Sequence, residues 1–229
     1  MLLYYMDVSE LDINNIPRSI SEDRIKKSRK YFHKKDKKLS IGVEILLNHA
    51  LDKIGVTDPI FDIDEYGKPY LKNYPDIYFN LSHSENYVAC AVSDSPVGVD
   101  IEYIHDIDLN IAKNYFYGSE YDYILNNDNK EKAFFELWVL KESYMKMTGL
   151  GFRLALDNFS IEISDEIKLI HNGNTGKLGL WNVCGGEYML GVCSKNSINQ
   201  PELICLPEIG ISSNIMENTG KGGINHGLL

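Results

Sequence analysis

The sequence predicts an α+β fold of two similar lobes. Two observations carry that reading. Apolar patterns run strand, helix, strands and then helix and strands again, with the change-over near Val97. Each half also holds one long helical stretch, and 229 residues at 44% hydrophobic content can fill two cores. The expected lobes are 1–96 and 97–206. Beyond Leu206 the aromatics stop and Gly220, Gly222, Gly223 and Gly227 accumulate, so 207–229 is expected to be a flexible tail.

The elements follow in order. Residues 2–7 form a short apolar and aromatic run, a strand. Residues 24–32 and 39–53 read as helices; in the second, Ile41, Ile45, Leu46 and Ala50 recur at helical spacing. Residues 61–66 read as a strand running into a turn at Gly67-Lys68-Pro69-Tyr70. Residues 78–81 and 87–93 make two strands joined by the turn Ser84-Glu85-Asn86, and a third strand spans 97–104. A modest helix covers 109–116. The strongest helical pattern is 131–147, stopped at Thr148-Gly149. Four more strands are expected at 159–163, 167–171, 178–183 and 188–193.

Composition excludes collagen-like, disulfide-scaffold and wholly disordered classes, and no apolar run reaches the length of a membrane span. Met1–Asp12 lacks a basic flank and a small-residue cleavage site, so it does not read as a secretory signal. Cys90, Cys184, Cys193 and Cys205 are scattered without C-x-x-C spacing, and Cys90 falls in an apolar strand. A cytoplasmic protein with reduced thiols is expected, with no membrane partner.

The net charge of −10 is uneven. Residues 24–38 hold nine of the 23 basic side chains against one acid, Asp36. The rest of the chain carries 14 basic and 32 acidic groups. A basic block on an acidic body suits a phosphate-bearing ligand or an acidic partner, or is simply a solvated helix face. A long polyanion would be repelled by the remaining surface, so nucleic acid is not expected as a partner.

Chemistry concentrates in two segments. In Val97–Ile104 the residues Val97, Val99, Ile101 and Tyr103 share one strand face, so Asp100 and Glu102 share the other, about 7 Å apart by Cα. Side-by-side carboxylates repel unless a proton or a cation intervenes, and Mg²⁺ accepts such oxygens together with phosphate oxygens. A polar outer strand face is the plainer alternative. In the helix, Trp138, Glu142 and Lys146 stand at i, i+4 and i+8 and form one stripe. Glu142–Lys146 reads either as an ordinary helix salt bridge or as a metal ligand or base beside a phosphate partner. Were the stripe to face Asp100 and Glu102, the group would suit phosphoryl chemistry. The run Asn80-Leu81-Ser82-His83-Ser84 ends a strand with hydroxyl and imidazole groups that could cradle a phosphate.

These segments in this order resemble the Sfp-type 4′-phosphopantetheinyl transferases. The likeness rests on Gly67-Lys68-Pro69, Phe79-Asn80-Leu81-Ser82-His83-Ser84, Gly98-Val99-Asp100-Ile101-Glu102 and Trp138-Val139-Leu140-Lys141-Glu142-Ser143-Tyr144-Met145-Lys146, followed by Gly149-Leu150-Gly151. The resemblance implies two pseudo-symmetric α+β lobes with coenzyme A bound in the cleft between them. It implies Mg²⁺-dependent transfer of phosphopantetheine from coenzyme A to a serine of an acyl or peptidyl carrier protein, releasing 3′,5′-ADP. Such carriers serve fatty-acid, polyketide or nonribosomal-peptide synthesis, including antibiotic biosynthesis. Asp100, Glu102 and Glu142 would bind the metal, with Glu142 also the leading candidate base. Lys146 would neutralise phosphate charge, and His83 with Ser82 would meet a phosphate. Gly67, Lys68 and Pro69 would border the adenine, and Arg24 and Lys27 would meet the 3′-phosphate. An arginine often found in the family before the Gly42 helix is absent here, where Lys38-Leu39-Ser40 stands. A monomer is expected. The competing readings are a Mg²⁺-dependent phosphoesterase or nucleotide hydrolase, and a silent module binding coenzyme A or a carrier protein.

Overall fold

A computed structural model describes residues 1–173 and 175–209, the side chain of Phe152 apart. Four layers are stacked: a long helix, a first sheet, a second sheet and another long helix. The alternation of side chains along each strand explains why.

The first sheet has the order β11–β1–β5–β4, built from β1 (Leu2–Asp7), β4 (Tyr78–Ser84), β5 (Tyr87–Ser93) and β11 (Glu202–Leu203). One of its faces carries Tyr4, Met6, Val88, Cys90 and Val92. Against it packs α2 (Lys34–Lys53), whose Ile41, Ile45, Leu46 and Ala50 are buried as their spacing requires. Leu3, Ala89 and Ala91 point the other way, onto Val97, Val99 and Ile101 of β6 (Val97–Tyr103). That strand belongs to the second sheet, order β6–β10–β9, with β9 (Lys177–Val183) and β10 (Tyr188–Ser194). The outer face of this sheet is covered by α5 (Lys130–Thr148). Asn129 caps α5 by accepting from Lys132 N, and Gly149 ends it at φ +78°. The remaining elements are α1 (Glu22–Arg29), the hairpin β2 (Phe61–Ile63) and β3 (Pro69–Leu71), α3 (Asn110–Tyr115), α4 (Gly118–Leu125), and the hairpin β7 (Ser160–Ile163) and β8 (Ile167–Ile170).

Several expectations are corrected. The predicted strand at 61–66 stops at Ile63, because Asp64 Oδ1 accepts from the backbone of Tyr66 and Lys68 and folds the chain into a turn. Pro69, read as part of that turn, opens β3 at a strand start, where its missing N–H is tolerated. Helix α4 was not read from the sequence at all. The chain beyond β10 does not stay with the second sheet. β11 pairs in parallel with β1, and Ile204 and Leu206 are buried in the first core. Residues 207–209, assigned to the tail, complete a short turn whose Ile209 packs on that same core. The rest of the expected tail lies outside the described residues.

Helix α5 can reach the second sheet because glycines let it. A Cβ at Gly98 would stand 2.0 Å from Ser143 O and 2.4 Å from Met147 N, and one at Gly191 would stand 2.6 Å from Val139 O. The obstacles are helix backbone, which cannot rotate aside. Gly98→Ala is therefore expected to cost about 1–3 kcal/mol or more in chemical denaturation and to displace α5. An unchanged midpoint would show that the contact is looser than the geometry implies.

Candidate active site

On β6, residues 98, 100 and 102 share the face turned to α5. The glycine admits the helix, and the two carboxylates follow it along the same face. From α5 the Glu142–Lys146 stripe comes down on the same place. Lys146 Nζ donates to Asp100 Oδ1 at 2.6 Å and to Ser82 Oγ at 3.1 Å. Asp100 is only 2% exposed. Trp138, one turn before Glu142, clusters with Phe134 and Phe116, whose ring centres lie 5.6 and 6.3 Å away.

The first sheet supplies the opposite wall. The facing edges of β4 and β6 are joined by side chains of β4. Asn80 Oδ1 accepts from Val99 N at 2.9 Å, Ser82 Oγ donates to Asp100 Oδ1 at 2.7 Å, and Ser84 Oγ donates to Glu102 Oε2 at 2.7 Å while accepting from Tyr103 N at 3.1 Å. Thus Ser82, expected to cradle a phosphate, holds a carboxylate and a lysine. Ser84, read as part of the same cradle and of a turn, ends β4 and holds Glu102; Asn80 had no assigned role, and the alternation N-x-S-x-S was the available signal. His83 points to the other side of β4, open to solvent. Crowding by neighbouring atoms, and next the Lys146 charge, lower its pKa.

The carboxylates are under strain of charge. Burial, and next Asp100, raise the Glu102 carboxyl to about 7. The same two causes raise Glu142, with Lys146 opposing. Asp100 Oδ2 and Glu142 Oε1 are buried and have no hydrogen-bond partner among the described residues. Two such acceptor oxygens fit a cation. Yet among the described residues no three His, Cys, Asp or Glu side chains converge closely enough to hold a metal ion by themselves. A hard cation held by two such oxygens would have to complete its shell with water or a ligand's oxygens.

The folded-state value of Glu102 lies above its unfolded one. Its stabilising contribution is complete below about 4.5, the ordinary value, and is lost as pH rises through about 7. The metal-free protein is expected to melt several degrees lower at pH 8 than at pH 5.5, and millimolar Mg²⁺ to restore most of the loss at pH 8. A melting temperature indifferent to Mg²⁺ at pH 8 would contradict a cation among these groups.

The other expected ligand residues lie apart from the carboxylates. Arg24 Nε is bound to Glu44 Oε2 at 2.9 Å, and Glu44 also accepts from Ser21 N and Oγ, which fastens α1 to α2. Lys27 is exposed on α1. Lys35 is paired with Glu85, and Lys38 donates to Ser9 O, so part of the basic block serves the fold. Gly67 turns the β2–β3 hairpin at φ +86°. Lys68 Nζ does not stand free beside Gly67 and Pro69 but donates to Lys146 O at 2.6 Å and Met147 O at 3.2 Å. A cavity of about 360 Å³ lies between this hairpin and the end of α5, lined among others by Lys68, Pro69, Tyr78 and Thr148.

Residues 96–193 match the model of the 4′-phosphopantetheinyl transferase superfamily. The chain is 35% identical over 169 residues to 4′-phosphopantetheinyl transferase Sfp of Bacillus subtilis, covering 71% of this chain and 75% of that protein. The chain belongs to the 4′-phosphopantetheinyl transferase family. It is also 33% identical over 181 residues to the gsp enzyme of Aneurinibacillus migulanus, covering 76% of each chain. Identity to the HetI enzyme of Nostoc is 32%, over 64% of this chain and 66% of that one. A Thermotoga maritima holo-[acyl-carrier-protein] synthase aligns over 44% of this chain and 62% of its own at 17% identity and TM-score 0.39, too partial a likeness to argue from. For this transferase the family match accounts for the mixed α+β architecture and for the enzyme class. Among its described residues no helix is long and apolar enough to cross a membrane.

Proposed function

We propose that this transferase moves the 4′-phosphopantetheine group of coenzyme A onto a serine of an apo carrier protein, with 3′,5′-ADP as the leaving group. What supports the reading most is the reach of Lys146 from α5 to Asp100 and Ser82 where the two sheets join, with the buried, unpartnered oxygens of Asp100 and Glu142.

Asp100 and Glu142, whose buried oxygens lack partners, would hold Mg²⁺ with Glu102 adding negative charge from the same strand face, and the bound ion would supply neutralising charge to the pyrophosphate of coenzyme A. Glu142 takes the proton of the carrier serine as its oxygen attacks phosphorus. The phosphorus–oxygen bond to 3′,5′-ADP breaks, and Lys146 stabilises the negative charge on the phosphoryl oxygens as that bond opens. His83 donates a hydrogen bond to a phosphate. Gly67 and Pro69 border the adenine, and Lys27 with the outer nitrogens of Arg24 faces the 3′-phosphate. The lysines of the basic block attract an acidic carrier surface. The enzyme works as a cytoplasmic monomer.

The experiment mixes the full chain, coenzyme A, Mg²⁺ and several apo carrier proteins, followed by intact-protein mass spectrometry. A mass gain of one phosphopantetheinyl group on a carrier is the expected result. Breakdown of coenzyme A without any carrier would favour the hydrolase reading, and binding without turnover the silent module.

A further inference from the structure

The end of α5 is held from outside the helix. A helix leaves its last carbonyls without intrahelical partners. Here Met145 O accepts from Thr148 Oγ1 at 2.8 Å, and the next two carbonyls, of Lys146 and Met147, accept from Lys68 Nζ. The same ammonium lies 3.4 Å from Val97 O at the start of β6. One side chain from the first half therefore ties together the helix end and the strand of the second half that carries Asp100. Its hairpin makes a further contact there, since the Arg153 guanidinium sits 4.7 Å from the ring centre of Tyr66. A Cβ at Gly149, just past the helix, would stand 3.6 Å from Lys68 Cδ.

We propose that Lys68 is a positioning residue for Lys146, gripping its backbone carbonyl so that its ammonium reaches Asp100 and Ser82 and not a neighbouring position. Lys68 acts through the helix and does not contact coenzyme A. A cation at a helix C-terminus is favoured by the peptide dipoles, which offsets the burial that lowers this ammonium to about 8. Lys146 has four rotatable bonds, so the site of its charge depends on where its Cα is anchored. A displacement of about 1 Å there is enough to cost a large factor in rate. The inference rests on the transfer reading above, and its test is built so that the two can fail separately.

Lys68→Met in the full chain keeps the apolar stem and removes the donors. Three readouts are expected. Amide hydrogen exchange speeds up over 145–149 and stays unchanged in the first three turns of α5. The turnover number for carrier modification falls about tenfold or more, while the dissociation constant of coenzyme A, measured without carrier, changes less than about twofold. In a Lys146→Met background the same substitution has no further effect on turnover, because the group it positions is gone.

Unchanged exchange at 145–149 overturns the proposal whether or not the protein proves to be a transferase. A loss confined to coenzyme A affinity also overturns it and returns Lys68 to the nucleotide. A full additional loss on top of Lys146→Met overturns it too, by showing a role independent of Lys146. Failure of the wild-type chain to modify any carrier, with the exchange result as expected, refutes the transfer reading and leaves the grip itself standing.

Discussion

Glu142→Gln is expected to slow phosphopantetheine transfer by about a thousandfold or more, while the melting temperature holds or rises. The two effects have one cause. Glu142 presents a buried oxygen without a hydrogen-bond partner, and its carboxyl is raised by burial and by the charge of Asp100. A neutral amide of the same shape relieves that repulsion in the metal-free protein and cannot take a proton from serine. Single-turnover mass spectrometry and calorimetry on the same sample decide it. Transfer at the normal rate, or a variant that unfolds, would remove Glu142 from the role of base.

The largest stability effect is expected at Lys141, directly before Glu142. Its ammonium is fully buried and donates to Glu120 Oε1 at 2.7 Å and Phe159 O at 2.9 Å, with the Phe159 ring 4.3 Å away. Glu120 in turn accepts from Ile161 N and from Tyr117 N. The pair thus clamps α4, α5 and the β7 edge together. Lys141→Met strands a buried carboxylate and is expected to cost about 3–5 kcal/mol, or a melting temperature lower by about 10 °C. Adding Glu120→Gln is expected to recover part of the loss, since the stranded charge disappears while the amide oxygen keeps one of the two backbone bonds, from Ile161 N or Tyr117 N. A double variant no more stable than the single one would show that packing, not charge, sets the cost.

The carboxylate group was legible because two periodicities were sufficient. Period two put Asp100 and Glu102 on one strand face, and the i+4 spacing put Glu142 and Lys146 on one helix stripe. What periodicity cannot supply is the element that covers a face. Gly98 was quoted only as part of a motif, although it is the residue that lets helix backbone settle on β6. Lys141 had no role in the reading because its partner lies in α4, a helix the sequence pattern did not reveal. Arg24 was assigned to the 3′-phosphate through the family resemblance; its engagement with Glu44 depends on how α1 folds across α2. Lys68 was placed at the nucleotide, and nothing local to Gly67-Lys68-Pro69 points to a helix end some 80 residues downstream. The second crossing of the chain, through β11, escaped for the same reason: a two-residue strand leaves no pattern of its own.

The hydroxyl and amide groups along β4 have a consequence for how the molecule tolerates movement. Where backbone ladders join strands, a slip of two residues restores every bond. Between β4 and β6 it would not, because Asn80, Ser82 and Ser84 each address a different neighbour. Any relative sliding of the halves would unhitch the acids from their donors and alter their affinity for protons and cations together. Alignment of the halves and readiness of the acids are thus one and the same property, written in three short polar side chains.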